Sequence, residues 1–189
     1  EKGNSYGFVG PNGCGKSVFF KTLCGYSLLT EGQVIYRGKI IGKEQDFIDD
    51  AGIVIEEPEF INSLSGLENL KILAEIQKKI SEAEIIEVLK QFDLYEDRNK
   101  KVGKYSVGMK QKLRLAQAVM EKPQVLILDE PMNGLDKKSV KKVEDILKAF
   151  VENGGTLLMT SHIEQQVEAC CKIVYEIDGG EILRVTVLQ

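Results

Sequence analysis

The sequence predicts an α/β domain: a mainly parallel sheet covered by helices on both faces, with a small helical subdomain set into it. Three observations carry this expectation. Short apolar strand-like runs alternate with helical patterns along the 189 residues. The stretch Gly10-Pro11-Asn12-Gly13-Cys14-Gly15-Lys16-Ser17 fits the pattern G-x-x-x-x-G-K-[ST] and stands between an apolar run and a helix-forming one. From Leu64 to about Lys101 the strand character gives way to helical periodicity.

Taken in order, Ser5-Tyr6-Gly7-Phe8-Val9 is short, apolar and bounded by glycines, as a buried strand is. Val18 to Cys24 continues as a helix. Gln33-Val34-Ile35-Tyr36-Arg37 alternates like a half-exposed strand, and Gly52-Ile53-Val54-Ile55-Glu56 is a buried strand ending in acid, punctuated by Pro58. In the helical stretch, Leu67, Leu70, Leu73, Ala74 and Ile76 form one stripe; Ile85, Ile86, Leu89 and Phe92 form the next. Ser81-Glu82-Ala83-Glu84 reads as the capping box of that second helix.

Ser106 opens a further helix that stops before Pro123. Gln124-Val125-Leu126-Ile127-Leu128-Asp129 is the strongest buried-strand signal in the chain. Lys138 to Val151 is an amphipathic helix ending at Asn153-Gly154-Gly155, and Thr156 to Thr160 another buried strand, with a helix to about Cys170. Ile173–Asp178 and Glu181–Val187, joined by Gly179-Gly180, read as a closing hairpin.

Composition sets outer bounds. A length of 189 residues suits one domain with a proper core, and 43% hydrophobic with 29% charged residues is ordinary for a globular chain. A net charge of −4 argues against a nucleic-acid-binding surface, which needs clustered Lys and Arg. No apolar run approaches the ~20 residues that span a bilayer, and no signal peptide precedes the first strand, so a membrane role goes through a partner. The cysteines Cys14, Cys24, Cys170 and Cys171 form no CxxC pair and read as reduced thiols.

The glycine-rich stretch has a physical logic. Its glycines let successive backbone N–H groups point into one anion-sized cavity, and the helix that follows adds its partial positive end. This identifies Gly10, Pro11, Asn12, Gly13, Cys14, Gly15, Lys16 and Ser17 as nucleoside-triphosphate-binding residues, with Lys16 reaching the β- and γ-phosphates and Ser17 placing its hydroxyl on Mg²⁺. Asp129, at the end of a buried strand, is the second expected Mg²⁺ residue, and Glu130 the general base for an attacking water.

Tyr105-Ser106-Val107-Gly108-Met109-Lys110-Gln111, heading a helix just before Asp129, resembles the signature motif of ATP-binding cassette (ABC) ATPases, usually Leu-Ser-Gly-Gly-Gln. Leu126-Ile127-Leu128-Asp129-Glu130-Pro131 resembles that family's second nucleotide motif. Asn133-Gly134-Leu135-Asp136 looks like its D-loop, and Thr160-Ser161-His162 like its switch-histidine motif. Glu56 stands where the family has its Q-loop glutamine. The resemblance runs from Gly7 to about Gly180.

The resemblance implies an ABC-type phosphate-loop NTPase core, RecA-like, forming a single domain over 1–189 with a helical subdomain at about 61–121. It implies that Ser106, Val107, Gly108 and Met109 contact, in trans, the ATP held by a second cassette, identical or not. Asp136 acts in the D-loop, His162 joins Glu130 as a catalytic residue, and Glu56 joins Ser17 and Asp129 as a metal residue. The cofactors are ATP and Mg²⁺. The partner is a transmembrane permease, not nucleic acid, received in a groove formed by Glu57–Ser65 and the helices to Phe92, and the location is the cytoplasmic face of the cell membrane. Glu56 and Met109, replacing the family's neutral Gln residues, look like variants found in bacterial exporters of drugs and antimicrobial peptides. Family members also carry strands ahead of the phosphate loop, including an aromatic that stacks on adenine, and these strands are missing from this sequence.

A non-transport ABC ATPase of the ribosome, DNA repair or chromosome is the alternative. Its chromosome and repair members carry a long coiled coil between phosphate loop and signature, where this sequence has only a short helical segment. A GTPase reading rests on Asp49-Asp50-Ala51-Gly52 as D-x-x-G, but Asn99-Lys100-Lys101-Val102 lacks the Asp of a guanine-reading N-K-x-D.

Overall fold

A computed structural model describes residues 1–56 and 60–188. Glu57, Pro58 and Glu59, where the sequence places a punctuating proline and the start of a partner groove, lie outside the described residues. The main sheet has six strands: β1 (Ser5–Val9), β4 (Ala51–Val54), β5 (Val125–Leu128), β6 (Thr156–Ser161), β7 (Ile173–Asp178) and β8 (Glu181–Val187). Their spatial order is β4-β5-β6-β1-β7-β8, and every pairing is parallel except β7 with β8.

Alternation along the strands divides the core in two. On β5, Leu126 and Leu128 face one layer, packed by α4 (Val107–Val119), α5 (Lys137–Glu152) and α6 (Glu164–Cys170) through Leu113, Leu147 and Val167. Ile127 faces the other, with Phe8, Ile177 and Phe20 of α1 (Lys16–Cys24). Phe8 meets Phe20 edge-on at 5.4 Å and stacks on Tyr175 at 5.1 Å, which fixes α1 over β1 and β7. Helices therefore cover both faces, as the uninterrupted apolar runs of β5 and β6 demand.

Between β4 and β5 the described residues hold α2 (Gly66–Gln77), α3 (Glu82–Gln91), a 3₁₀ turn at Val102–Lys104, and α4. Both α2 and α3 open with complete capping boxes, Ser65 with Glu68 and Ser81 with Glu84. Two details correct the sequence reading. Ile76 is 74% exposed; nine residues beyond Leu67 it falls about 180° around the helix, off the stripe made by Leu70 and Ala74. The Gln33–Arg37 strand shrinks to β2 (Ile35–Tyr36), paired with β3 (Lys39–Ile40) outside the main sheet. Arg37 and Gly38 take left-handed backbone, φ 51° and 81°, so the chain reverses directly after Tyr36.

All four cysteines are free and buried, and burial pushes the thiols of Cys24 and Cys170 up to about 12.

Glu84 does two jobs in this region. Its carboxylate accepts from Lys122 Nζ at 2.7 Å and from Ser81 N at 3.0 Å, tying the start of α3 to the end of α4. Lys122, then the Ser81 backbone and hydroxyl, hold its pKa down to about 2 from an ordinary 4.5. A depressed carboxylate stabilises the fold above its unfolded pKa, and loses that contribution as pH falls through its folded value. Glu84→Gln is therefore expected to lower Tm at neutral pH by about 1–3 °C. That gap should close between pH 4.5 and about 2, which thermal melts of both proteins across that range would check.

Candidate functional site

Because β1, β5 and β6 run parallel, with Val9 opposite Ser161 and Leu128 opposite Met159, their C-terminal ends open onto one edge of the sheet. Three motifs distant in sequence are collected there: the Gly10–Ser17 loop after β1, Asp129-Glu130 after β5, and His162 after β6. This is where open α/β sheets hold their ligands.

The loop is shaped by close backbone approach. A Cβ added to Gly10 would sit 2.1 Å from the Ile177 carbonyl oxygen, so the position has no room for a side chain. Lys16 is buried, and its Nζ donates to the carbonyls of Gly10 at 2.8 Å and Pro11 at 3.1 Å. The ammonium is thus held across the mouth of the loop, a fixed cation beside backbone N–H groups at the N-terminus of α1.

Ser17, the next residue of α1, donates from Oγ to Asp129 Oδ2 at 2.5 Å. Thr160 Oγ1 donates to the other Asp129 oxygen at 2.6 Å and accepts from the Glu130 backbone N–H at 2.9 Å. One carboxylate therefore joins the ends of α1, β5 and β6. Thr160 is the residue that sequence reasoning left without a role; it stood inside the quoted Thr160-Ser161-His162 motif, but only the parallel register sets its hydroxyl between Asp129 and Glu130.

Glu130 has left-handed backbone, φ 49°. For a residue with a Cβ this costs roughly 1–2 kcal/mol, and it turns the side chain toward His162. His162 Nδ1 lies 2.9 Å from Glu130 Oε2. A carboxylate only accepts, so this contact assigns the ring proton to Nδ1. Both groups reach solvent, Glu130 at 24% and His162 at 46% side-chain exposure.

Glu56 stands apart from this cluster. It has φ 60°, and its carboxylate pairs with Lys21 Nζ on the flank of α1. Ser106 caps α4, accepting from the Met109 N–H at 3.2 Å, and Val107 is 69% exposed. A Cβ at Gly108 would come within 3.1 Å of the Gly134 carbonyl, so the first turn of α4 packs directly on the Asn133–Asp136 turn. Asp136 caps α5, with Oδ1 accepting from Ser139 N at 2.8 Å, and that bond holds its pKa below the usual carboxylate value.

The oxygen set at Ser17 and Asp129 suits a hard cation. Among the described residues no group of three or more His, Cys, Asp or Glu side chains forms a closed metal cage. Two protein oxygens beside an anion loop fit Mg²⁺, which keeps several waters and takes further ligands from phosphates.

The profile of the family described as ABC transporter matches residues 1–133. Among curated proteins, the chain is 37% identical over 182 residues to the ABC transporter ATP-binding protein YybJ of Bacillus subtilis (strain 168), covering 96% of this chain and 84% of that one. It is 34% identical to the lantibiotic transport ATP-binding protein SrtF of Streptococcus pyogenes, covering 96% and 78%. It spans 60–62% of three further ABC transporter ATP-binding proteins of the same Bacillus strain. A solved structure of an ATP-binding cassette dimer in a post-hydrolysis state, bound to ADP and Pi, superposes with a TM-score of 0.89 at 24% identity, covering all of this chain and 87% of that one. No helix among the described residues is long and apolar enough to cross a membrane.

Proposed function

Because this chain belongs to the ABC transporter family, we propose that it is the ATP-hydrolysing motor subunit of a transporter, one of two cassettes that close around ATP and drive a membrane partner. The observation that carries the proposal is the hydrogen-bonded line Ser17–Asp129–Thr160–Glu130, which gathers the phosphate loop, the acid pair and the histidine at one sheet edge.

Each residue has a physical task in this reading. The Gly10–Ser17 backbone and Lys16 bind the β- and γ-phosphates and take up their charge. Glu130 accepts the proton of the attacking water, and His162 holds the carboxylate by its Nδ1–H. Ser17 and Asp129 would hold Mg²⁺, with Glu56 as a third residue once released from Lys21; the ion supplies charge neutralisation on the phosphates. Ser106, Val107, Gly108 and Met109, at the exposed N-terminus of α4, meet the γ-phosphate bound by the other cassette. Asp136 orders the turn that touches Gly108.

ATP thus becomes part of the interface between cassettes, and hydrolysis opens it. The partner cassette is a second copy or a close homologue. The single domain spans 1–189, with the helical subdomain at about 61–121. Its exposed Ile61, Ile72 and Ile76 offer apolar surface for a permease segment. Such a subunit works on the cytoplasmic face of the cell membrane. Similarity to the lantibiotic transport protein supports export of drugs or antimicrobial peptides as the class of transport. A non-transport role on the ribosome, in repair or on chromosomes is not favoured.

The test is the solution mass of Glu130→Gln in the full-length protein, with and without Mg-ATP. A nucleotide-dependent dimer is expected. Ser106→Arg, which puts a bulky cation at the α4 N-terminus, is expected to abolish it. A dimer that survives Ser106→Arg would remove the signature from the interface.

A further inference from the structure

α4 carries two features one turn apart. Its first turn presents Ser106 and Val107 outward, and Gln111 points inward to the turn that bears the catalytic acid. Gln111 is only 5% exposed. Its Nε2 donates to the Pro131 carbonyl at 2.9 Å and lies 3.5 Å from that of Glu130. Arg114 Nη1 donates to its Oε1 at 3.0 Å. These neighbours fix the amide: two carbonyls require its NH₂ side, and a guanidinium requires its oxygen. A leucine of similar size would fill the space but leave the Pro131 carbonyl without this donor and the Arg114 guanidinium without this acceptor.

What Gln111 grips is unusual backbone. Glu130 is left-handed, and its N–H is held by Thr160 Oγ1 while its carbonyl accepts from Asn133 N at 3.1 Å. Pro131 has no N–H, so its carbonyl is the one backbone handle it offers.

We propose that Gln111 is a positioning residue for hydrolysis: it anchors the Glu130–Pro131 backbone to the signature helix and so fixes the Glu130 carboxylate against His162. The helix that reads the nucleotide of one site is thereby tied to the base that serves the other. This rests on the reading of Glu130 as general base. A purely structural Gln111 would lower stability without acting through Glu130.

The experiment is steady-state phosphate release by the full-length protein in Gln111→Leu, Glu130→Gln and the double variant, with Tm measured alongside. Gln111→Leu is expected to lower kcat about tenfold, a part of the ~10²–10⁴-fold that a general base supplies, with KM for Mg-ATP within about twofold. In the Glu130→Gln background it should change the residual rate by less than about twofold, because no base is left to position. Wild-type turnover in Gln111→Leu overturns the proposal. So does an equal loss in both backgrounds. If Gln111→Leu does not fold, Gln111→Glu, which keeps the size and an acceptor for Arg114 but has no NH₂ to donate to the Pro131 carbonyl, carries the same comparisons and the same overturning outcomes. Normal turnover in Glu130→Gln itself would instead sink the general-base reading, so the two failures are distinguishable.

Discussion

Lys16→Ala is expected to abolish ATP turnover and to weaken nucleotide binding. The ammonium is the one charged group built into the loop, and it is buried and held by the Gly10 and Pro11 carbonyls. Its removal has two consequences. The triphosphate loses a fixed cation, and single electrostatic donors in active sites are worth about 10²–10³ in rate. The Gly10 and Pro11 carbonyls also lose the donor they share. Arginine is no substitute, because a planar guanidinium does not fit between two carbonyls spaced for a compact ammonium. Titration with a fluorescent ATP analogue, paired with a phosphate-release assay, reads both effects. Wild-type turnover in Lys16→Ala would remove the loop from the active site.

Glu130→Gln separates binding from chemistry. The amide keeps the size of the carboxylate and can still accept from His162 Nδ1–H, so the geometry around β5 and β6 is retained. What it cannot do is take a proton from water. Turnover should fall ~10²–10⁴-fold, the contribution of a positioned general base, while ATP binding stays near wild type. Single-turnover quench measurements beside equilibrium binding make the comparison. Near-normal turnover would take Glu130 out of that role.

These two variants probe different layers of the molecule, and the layers were not equally legible beforehand. The phosphate loop is local: eight consecutive residues carry the glycines, the lysine and the serine, and the flanking strand and helix are equally local. The runs that became β5 and β6, the Ser81–Glu84 capping box and the closing hairpin are written within a few residues of where they act. Where local patterning misled, the chain reversed or rotated on a scale the pattern did not include. Arg37 and Gly38 cut short the expected strand, and Ile76 lay half a turn from its presumed stripe.

By itself, then, the sequence determined the α/β class and the places of the motifs, because each is encoded by neighbours along the chain. Only the tertiary structure decided that β1 lies between β6 and β7, and that Ser17, Asp129 and Thr160 share one carboxylate. It also decided that Glu56 pairs with Lys21, and that Gln111 reaches the backbone of Glu130 and Pro131. The pairing of β1 with β7 joins residues 167 positions apart, as Tyr6 with Ile173, and the Ser17–Asp129 bond spans 112. They depend on strand order and register, which are set by how two apolar faces of one sheet are covered at once and by no local run of residues.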